Sequence, residues 1–486
     1  MDLQLEDPTL AKSQAYIGGS WVDADSSATF DVINPVDGSV VGAVADLGVD
    51  ETRRAIDAAH VAMPAWAALT AKQRGAIMRT WYNLLLENQE DLAQLMTTEM
   101  GKPIRESRGE AVFAANFVDW FAEQGKRAYG EIIPTHDNSK RLMVLRHPIG
   151  VVAAVTPWNF PMAMITRKVA PAIAAGCATV VKPAQDCPMT ALAVAELAER
   201  AGLPGGILNV VPTFDPVDVG KELSTNPIVK KISFTGSTAV GKLLMAQAAG
   251  TVKAVSMELG GNAPFIVFDD ADIDEAVEGA IASKYRNTGQ TCICANRLFV
   301  QDGVYDEFSA KLATRASELK VGDSRAPETE VGPLVNAAAL EKVSGLVDAA
   351  VASGATVLTG GAAHERGGNY YEVTVLGDVT SDMDIANAEI FGPIAPLYRF
   401  SSEEEVIQLA NDTPYGLAAY FFAGDLARVW RVSEGLEYGM IGVNTGLFST
   451  EIHPFGGMKE SGIGREGSHD GLDEYLETKY VAVGGV

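Results

Sequence analysis

The sequence predicts a protein of the α/β class with more than one domain. Between Ile149 and about Phe268, apolar runs of strand length alternate with helical patterns at the spacing of βαβ units. A second mixed region of strands and helices follows, from about Glu258 to Tyr438. The 486 residues are enough for two or three domains with a large buried core.

Short strands and a long helical region precede the alternating part. Residues 17 to 45 form short predicted strands, which are separated by Gly18-Gly19 and by the turn residues Asn34 to Gly38. From Asp50 to about Gln124 the apolar residues follow a helical period, with one predicted break at Gly101-Lys102-Pro103.

Two further strand units are predicted outside these regions. One is a hairpin with strands at Glu131 to Pro134 and Arg141 to His147 around the polar turn Asp137-Asn138-Ser139. The other is the C-terminal run from Tyr475 to Val483. Because isolated strands need edges to pair with, we expect these units to pair between subunits.

The alternating region places polar segments where strands end. Its strands are predicted at Gly150 to Val155, Thr179 to Val181, Ile207 to Val211, Lys230 to Phe234 and Ala263 to Phe268, with a helix from Thr190 to Ala201. Sheets of this type bind ligands outside the carboxyl ends of their strands. The candidate segments at those ends are 156–159, 182–185 and 234–241.

Gly236-Ser237-Thr-Ala-Val-Gly241 follows a predicted strand and opens a helix, where free N–H groups favour a phosphate. The segment does not match G-x-G-x-x-G, so a turn without a ligand is the alternative. Lys182 also ends a strand, where its side chain can reach a ribose hydroxyl or a phosphate. A solvated charge is the alternative there.

Cys292 follows the end of a predicted helix. Residues Asp272 to Arg286 have helical spacing with Asp272 as N-cap, and Asn287 and Gly289 then stop the helix. We therefore expect Cys292 on a turn, partly exposed and stabilised as a thiolate. The alternative is an inert, buried cysteine.

Two polar residues in apolar surroundings complete a possible reaction centre. Glu258 ends an apolar strand before two glycines, so its carboxylate must be paired or have a raised pKa, as a general base needs. Asn159 lies between Trp158 and Phe160 and can help the Cys292 backbone N–H hold an oxyanion. With the phosphate loop, these groups describe covalent aldehyde oxidation, with a hydride passing to nicotinamide and water hydrolysing a thioester.

Composition excludes several other classes of function. The net charge is −25, which would repel nucleic acid and anionic lipid, so an anionic ligand needs dedicated cations in its pocket. We expect no membrane span. Cysteines 177, 187, 292 and 294 are too few for a disulfide framework and lack zinc-site spacing. The acidic N-terminus has no targeting pattern, so we expect a cytoplasmic protein without a metal.

The sequence resembles the aldehyde dehydrogenase superfamily over almost its whole length. Five motifs carry the resemblance in this order: Phe-Thr-Gly-Ser-Thr from 234, Met-Glu-Leu-Gly-Gly-Asn from 257, Gly-Gln-Thr-Cys from 289, Glu-Ile-Phe-Gly-Pro from 389 and Pro-Phe-Gly-Gly from 454. The order of the five motifs is far more specific than any one of them.

The resemblance implies roles for individual residues. Cys292 would be the nucleophile, Glu258 the base for deacylation and Asn159 the oxyanion donor. The implied cofactor positions are Thr156, Trp158, Lys182, Gln185, Gly236, Ser237, Leu259, Glu389 and Phe391.

The resemblance also implies a fold. It would have a Rossmann-type cofactor domain at 1–128 and 148–257 and an α/β catalytic domain at 258–460. A β-strand oligomerisation element at 129–147 and 461–486 would make a homodimer or homotetramer.

Within the family, the sequence is most similar to the succinate-semialdehyde dehydrogenases. Arg167, Arg286 and Ser449 can hold a substrate carboxylate by charge-assisted hydrogen bonds, and Phe455 falls at a substrate position. Ordinary structural ion pairs of the two arginines are the alternative. The implied reaction is oxidation of succinate semialdehyde to succinate through a cysteine thiohemiacetal and thioester.

Two features leave cofactor choice and regulation open. Gln185 stands where many NAD-preferring relatives have a glutamate, and its neutral amide would not repel a 2′-phosphate. Asp215, in contrast, would oppose such a phosphate. The sequence therefore leaves both NAD and NADP as cofactors. Cys294 resembles the Cys-x-Cys of relatives that are thought to close a redox switch with the nucleophile, and a small buried residue is the alternative.

Three other functions are alternatives to this one. Glutarate semialdehyde is one methylene longer, and a pocket separates such homologues by only about 1 to 3 kcal/mol. A non-redox acyl transferase or thioesterase would use the same cysteine. A non-catalytic relative, such as a lens-type protein, is disfavoured because Cys292, Glu258 and Asn159 are present together.

Overall fold

The structure is a computed structural model that describes residues 3–485, and most of its strands belong to three sheets. The strands are β1 Ala15–Ile17, β2 Ser20–Val22, β3 Thr29–Ile33, β4 Val40–Ala45, β5 Glu131–Ile133, β6 Lys140–Pro148, β7 Val151–Val155, β8 Ala178–Lys182, β9 Leu208–Val210, β10 Val229–Thr235, β11 Ala254–Glu258, β12 Ala263–Val267, β13 Ala295–Gln301, β14 Thr356–Thr359, β15 Thr374–Gly377, β16 Ile394–Phe400, β17 Ala418–Phe422, β18 Met440–Val443, β19 Gly462–Ile463 and β20 Leu476–Gly484.

Helices connect the strands and cover the sheets. They are α1 Val49–Ala67, α2 Ala71–Glu87, α3 Gln89–Met100, α4 Ile104–Gln124, α5 Ala163–Ala175, α6 Pro188–Arg200, α7 Pro216–Thr225, α8 Thr238–Ala248, α9 Ile273–Tyr285, α10 Tyr305–Ser317, α11 Ala337–Ala352, α12 Asp384–Asn387, α13 Glu403–Asn411, α14 Leu426–Gly435 and α15 Asp470–Asp473. The α/β class predicted from the sequence is confirmed.

The first sheet has the order β19-β11-β10-β7-β8-β9-β1-β2. Its central strands β11, β10, β7, β8 and β9 are parallel, and most of their residues are buried because helices cover both faces of the sheet. The predicted strands at 150–155, 179–181, 207–211 and 230–234 are confirmed within two residues at each end.

The second sheet has the order β14-β15-β16-β13-β12-β17-β18 and is parallel except for β14. Alternate residues of β12 enter different hydrophobic clusters: Phe265 and Val267 on one face, Ile266 on the other. The predicted strand at 263–268 therefore exists, but it lies in this sheet rather than in the first.

The third sheet, with the order β20-β6-β5, corrects an expectation about pairing. The hairpin and the C-terminal strand were expected to pair between subunits. Instead β20 pairs antiparallel with β6 of the same chain, from Leu476 opposite Pro148 to Gly484 opposite Lys140. Intrachain pairing with β20 and β5 satisfies both edges of β6, so only the outer edges of β5 and β20 are free for another chain.

The helical region between residues 50 and 124 has more breaks than the one predicted at Gly101. The chain also leaves the helical conformation between α1 and α2, where Thr70 caps α2 and exchanges hydrogen bonds with Gln73. A third break occurs at Asn88, which ends α2 and begins α3. The sequence Thr-x-x-Gln is a capping-box signal, and it marks the break without any glycine or proline.

Candidate active site

Cys292 lies on a turn between α9 and β13, as the sequence predicted. Asp272 caps α9 by accepting a hydrogen bond from the Glu275 N–H, which confirms the predicted helix start. The chain then turns through Asn287 and Thr288, whose φ angles of 52° and 59° are left-handed. At Gly289 a Cβ atom would lie 2.2 Å from the Gly392 carbonyl oxygen, so only glycine fits.

A cavity of about 290 Å³ opens on one side of Cys292. The residues in its wall are Glu106, Gly109, Glu110, Phe113, Phe160, Met164, Arg167, Arg286, Thr291, Cys292, Ile293, Ser449 and Phe455. The four predicted substrate residues, Arg167, Arg286, Ser449 and Phe455, therefore line one cavity together with the thiol. We call it the first cavity.

Arg167 is buried and held from several directions. Its Nε lies 2.9 Å from Glu466 Oε2, and its guanidinium carbon lies 4.0 Å from the centre of the Phe455 ring. The ion pair matches the structural alternative weighed for this arginine. However, Arg167 Nη2 is buried without a hydrogen-bond partner, so part of the guanidinium is available to a ligand.

Arg286 differs, because no ion pair or hydrogen bond of its guanidinium is found among residues 3–485. Its guanidinium carbon lies 5.4 Å from the centre of the Phe160 ring. The structure thus does not support a structural ion pair for Arg286. A carboxylate in the first cavity would meet two guanidinium groups and the Ser449 hydroxyl.

A second cavity of about 400 Å³ opens on the other side of Cys292. The residues in its wall are Pro157, Trp158, Asn159, Thr235, Gly236, Ser237, Leu259, Gly260, Cys292, Val335, Asn336, Ala338, Ala339, Lys342, Glu389 and Phe391. Six predicted cofactor residues belong to this wall: Trp158, Gly236, Ser237, Leu259, Glu389 and Phe391. Cys292 is thus part of the wall of both cavities.

The second cavity fits a nicotinamide dinucleotide. Ser237 caps the eleven-residue helix α8, whose N-terminus carries free N–H groups that suit a phosphate. The hydroxyl of Thr235 is buried without a partner, and Trp158 and Phe391 form an edge-to-face pair 5.6 Å apart. A donor set of this kind suits a ligand with an anionic part and flat rings.

Glu389 and Lys342 add charge to the second cavity. The Glu389 carboxylate accepts a hydrogen bond of 2.9 Å from the Gly261 N–H, and burial raises its pKa to about 7. Lys342 Nζ donates to the Glu389 carbonyl at 2.6 Å. Lys342 and Asn336 were missed in the sequence, although Asn336 begins a helix in the way that N-caps do.

Three predicted cofactor residues lie outside the wall of this cavity. Thr156 and Lys182 follow neighbouring strands β7 and β8, where the Thr156 N–H donates to the Lys182 carbonyl at 3.1 Å. Lys182 Nζ donates to the Pro183 carbonyl, and burial lowers the pKa of its ammonium to about 8. Gln185 is half-buried just beyond. All three lie at the carboxyl ends of the first sheet.

Glu258 ends β11 and is 2% exposed. Both carboxylate oxygens lack a hydrogen-bond partner. Burial, followed by the negative charge of Glu466, raises the pKa of Glu258 well above its usual value. The raised pKa that the sequence predicted is present, and it makes this carboxylate a stronger proton acceptor than an ordinary glutamate.

Asn159 is buried on the loop after β7, in the wall of the second cavity. Its side-chain Nδ2 donates to the Gln290 main-chain carbonyl at 3.1 Å, and the Asn159 main-chain carbonyl accepts from Asn287 Nδ2 at 3.0 Å. These bonds fix the amide beside the Cys292 loop. The amide has a second N–H, which is the group that an oxyanion would need.

The thiol of Cys292 does not match one expectation. The sequence predicted a thiolate stabilised by nearby donors. Instead, burial and then the Glu389 carboxylate raise the pKa of Cys292 to about 12, so the thiol is protonated at neutral pH. A base must therefore remove its proton before attack.

All four cysteines are free thiols in this structure. Cys294 is 5% exposed, and its Sγ donates to the Gly289 carbonyl at 3.3 Å. The buried Lys284 Nζ lies 3.8 Å from the same sulfur. The redox switch between Cys292 and Cys294 stays a prediction.

Residues 3–485 contain neither a helix of membrane-spanning character nor a cluster of metal-ligating side chains. No helix there is long and apolar enough to cross a membrane. No group of three or more His, Cys, Asp and Glu side chains there has the arrangement of a metal site.

Comparison with known proteins identifies similar chains. The aldehyde dehydrogenase family model matches residues 21–481. The chain is 57% identical to succinate-semialdehyde dehydrogenase [NADP(+)] of Escherichia coli (strain K12), over 99% of this chain and 100% of that protein. It is also 57% identical to a glutarate-semialdehyde dehydrogenase of Pseudomonas putida, with the same coverage. The crystal structure of succinate-semialdehyde dehydrogenase from Burkholderia pseudomallei matches with a TM-score of 0.98 and 58% identity, over 99% of this chain and 100% of that one.

Proposed function

The chain belongs to the aldehyde dehydrogenase family, and we propose that this NAD(P)-dependent enzyme oxidises succinate semialdehyde to succinate. The observation that carries the proposal is the first cavity. There Arg167, Arg286 and Ser449 face the same space as Cys292, on a chain whose net charge is −25. A substrate with an aldehyde at one end and a carboxylate at the other matches these groups.

The roles of the reacting residues follow from their positions. Cys292, once deprotonated, attacks the aldehyde carbon and forms a thiohemiacetal. The Asn159 amide and the Cys292 backbone N–H hold the oxyanion. Glu258 accepts the proton of the thiol and releases it to water, so that the carboxylate can later accept a proton from the water that hydrolyses the thioester. When bound in the second cavity, the nicotinamide supplies the hydride acceptor.

Residues around the second cavity would hold the cofactor. Ser237 and the α8 N-terminus suit the phosphates, and Trp158 and Phe391 supply apolar surfaces. We propose that Lys182 and Gln185 contact the adenosine ribose from the ends of neighbouring strands. The neutral Gln185 leaves room for the 2′-phosphate of NADP as well as for NAD.

Glutarate semialdehyde is the second candidate substrate. It is favoured by the Pseudomonas putida relative, a glutarate-semialdehyde dehydrogenase whose identity of 57% equals that of the Escherichia coli succinate-semialdehyde dehydrogenase. The two substrates differ by one methylene, which is worth only about 1 to 3 kcal/mol in a pocket.

The test is a survey of initial rates. Reduced cofactor would be followed by absorbance with succinate semialdehyde, glutarate semialdehyde and the uncharged butanal, each with NAD and NADP. We expect kcat/KM to be highest for succinate semialdehyde. Equal values for butanal and both semialdehydes would contradict a carboxylate subsite, and hydrolysis of thioesters without any reduced cofactor would favour the non-redox alternative.

We further propose a cytoplasmic homodimer or homotetramer. A reducing compartment is consistent with four free cysteines, and the free edges of the third sheet suit contacts between copies.

A further inference from the structure

Glu466 is a buried carboxylate beside the first cavity that has no part in the reaction described so far. Its side chain is 3% exposed. Its Oε2 lies 2.9 Å from Arg167 Nε, and its Oε1 accepts a hydrogen bond from Lys168 Nζ. The carboxylate therefore pairs with two consecutive residues of α5.

The same segment holds Arg167 from its aromatic side. The Phe455 N–H donates to the Glu466 carbonyl at 2.7 Å, and the Glu466 N–H donates to the Phe455 carbonyl at 2.8 Å. The Phe455 ring lies 4.0 Å from the Arg167 guanidinium carbon, and the Phe117 ring lies at 5.3 Å. A single bridge thus ties together the carboxylate and the ring that fix Arg167.

These contacts leave one part of Arg167 unused. Nε forms an ion pair with Glu466 Oε2 without hydrogen-bond geometry, and Nη1 donates to Met164 Sδ at 3.7 Å. Nη2 is buried with neither an ion-pair nor a hydrogen-bond partner. A mobile arginine side chain loses conformational entropy when it binds a ligand. An arginine that is already fixed by its neighbours has lost that entropy on folding, so ligand binding costs less.

We propose that Glu466 is a positioning residue that holds Arg167 with Nη2 aimed at the substrate carboxylate. The proposal rests on the proposed function, since it needs a substrate that carries a carboxylate. Glu466 touches neither the reacting carbon nor the thiol. Its effect on binding is therefore carried by Arg167 and should depend on the charge of the substrate.

Glu466 has a second neighbour, the base Glu258. The charged groups that face Glu258 are Glu466, Arg167, Lys168 and Arg465, with the Cys292 thiol also near. Burial raises the pKa of Glu258 most, and the charge of Glu466 raises it further, against the lowering effect of the cations. Because Glu258 must be ionised to act, loss of the Glu466 charge should let it work at lower pH.

The test compares Glu466→Gln with wild type on succinate semialdehyde and on butanal. We expect KM for the semialdehyde to rise about tenfold and KM for butanal to change less than about twofold. The acid limb of kcat against pH should move to lower pH for both aldehydes. A semialdehyde KM that is unchanged, falls, or rises as much as that of butanal would overturn the proposal.

A matched control is Glu474→Gln. Glu474 pairs with the buried Lys231 at 2.9 Å and accepts from Ser256 at 2.8 Å, without an ion pair to Arg167. The same substitution there should leave the ratio of the two KM values as in wild type. A control that changes the ratio as strongly as Glu466→Gln would overturn the assignment to Glu466.

Glu466→Asp serves if Glu466→Gln does not fold. It keeps the charge beside Lys168 and shortens the reach to Arg167 by one methylene. The semialdehyde KM should rise selectively, whereas the pH limb should stay near that of wild type; equal KM changes for both aldehydes would overturn the proposal. A wild type with no preference for the semialdehyde would instead refute the proposed function, so the two failures are distinguishable.

Discussion

At the scale of single residues, the Cys292 thiol and the Glu258 carboxylate both hold a proton more tightly than usual. Burial raises the pKa of both groups, to about 12 for the thiol and well above its usual range for the carboxylate. A protonated thiol beside an unpartnered base suits an enzyme that makes its nucleophile only on demand. The resting thiol is then less exposed to oxidants, because the thiolate is the reactive form.

Glu258→Gln should separate the two halves of the reaction. Without the carboxylate, the thioester can form slowly but water is not activated to hydrolyse it. We expect a burst of about one reduced cofactor per active site, followed by slow turnover. Cys292→Ala should give no burst while still binding the cofactor. Turnover of Glu258→Gln at the wild-type rate would remove Glu258 from the mechanism.

Arg286→Leu is the cleanest test of carboxylate binding. Its guanidinium makes no ion pair among the described residues, although its charge lowers the pKa of the buried Glu106, whereas Arg167→Leu would remove the ion pair with Glu466. We expect KM for succinate semialdehyde to rise by a loss of roughly 1.5 to 3 kcal/mol, the range for a charged hydrogen bond. KM for butanal should be nearly unchanged. Equal losses on both aldehydes would make Arg286 structural.

Gln185→Glu should shift cofactor preference toward NAD. A carboxylate accepts hydrogen bonds from both ribose hydroxyls, yet it repels a 2′-phosphate. The measurement is the ratio of kcat/KM for NAD to that for NADP, with Asp186→Asn as the neighbouring control. If the ratio does not rise, Gln185 lies away from the adenosine ribose.

At the scale of elements, α6 depends on a buried carboxylate from α3. Glu99 accepts hydrogen bonds from the Met189 and Thr190 N–H groups at the start of α6, and burial raises its pKa to about 7. In the unfolded chain the Glu99 carboxyl has a pKa of 4.5, so it ionises at lower pH there than in the folded protein. Wild type should therefore lose stability as the pH rises from 4.5 to about 7. The loss is up to about 3 kcal/mol.

Glu99→Gln should remove this pH dependence. Apparent Tm values at one scan rate would be compared for the two proteins between pH 4.5 and 8, since large chains often unfold irreversibly. We expect the Tm of wild type relative to Glu99→Gln to fall with rising pH and to level off above pH 7. A constant difference would mean that Glu99 is not protonated in the folded state.

The first sheet was predictable because its parallel strands are buried on both faces. Val151–Val155 is apolar throughout and stands out from the sequence, whereas Val229–Thr235 contains two lysines and was predicted from the period of the βαβ units. Pairing over a long separation left no local signal, so the intrachain partner of β20 and the sheet that holds β12 were predicted wrongly. The break before α2 had a local signal in the capping-box pair Thr70 and Gln73. It was missed because no glycine or proline marks the break.

The first cavity was only partly predictable for a similar reason. The family resemblance marked Arg167, Arg286, Ser449 and Phe455, but Glu106, Gly109 and Phe113 come from α4, where no motif marks them. Their spacing of three and four residues places them on one helix face, which is the signal that was available. Nothing in the sequence says that this face meets Cys292, because the contact joins distant parts of the chain.

On the scale of the whole molecule, the outer edges of the third sheet predict association. Ile132 of β5 is 83% exposed and Tyr480 of β20 is 57% exposed. We expect wild type to have two or four times the chain mass of 51.4 kDa by light scattering. Ile132→Glu with Tyr480→Glu should shift the mass toward one chain, because charge on an edge opposes pairing.

Val61→Glu is the control for this experiment. Val61 is 79% exposed on α1, away from the third sheet, so the substitution adds the same charge without touching the proposed contact. We expect its mass to equal that of wild type. A monomeric wild type, or an equal shift in the control, would contradict association through these edges.

The two arginines of the first cavity lie inside a molecule with a net charge of −25. A carboxylate is therefore repelled on approach and attracted once inside. Salt screens exposed charges beyond about 8 Å at physiological ionic strength, and it screens buried pairs much less. Rising ionic strength should therefore raise the association rate of the substrate and leave its dissociation rate almost unchanged. The salt concentration around the enzyme thus affects substrate capture more than substrate retention.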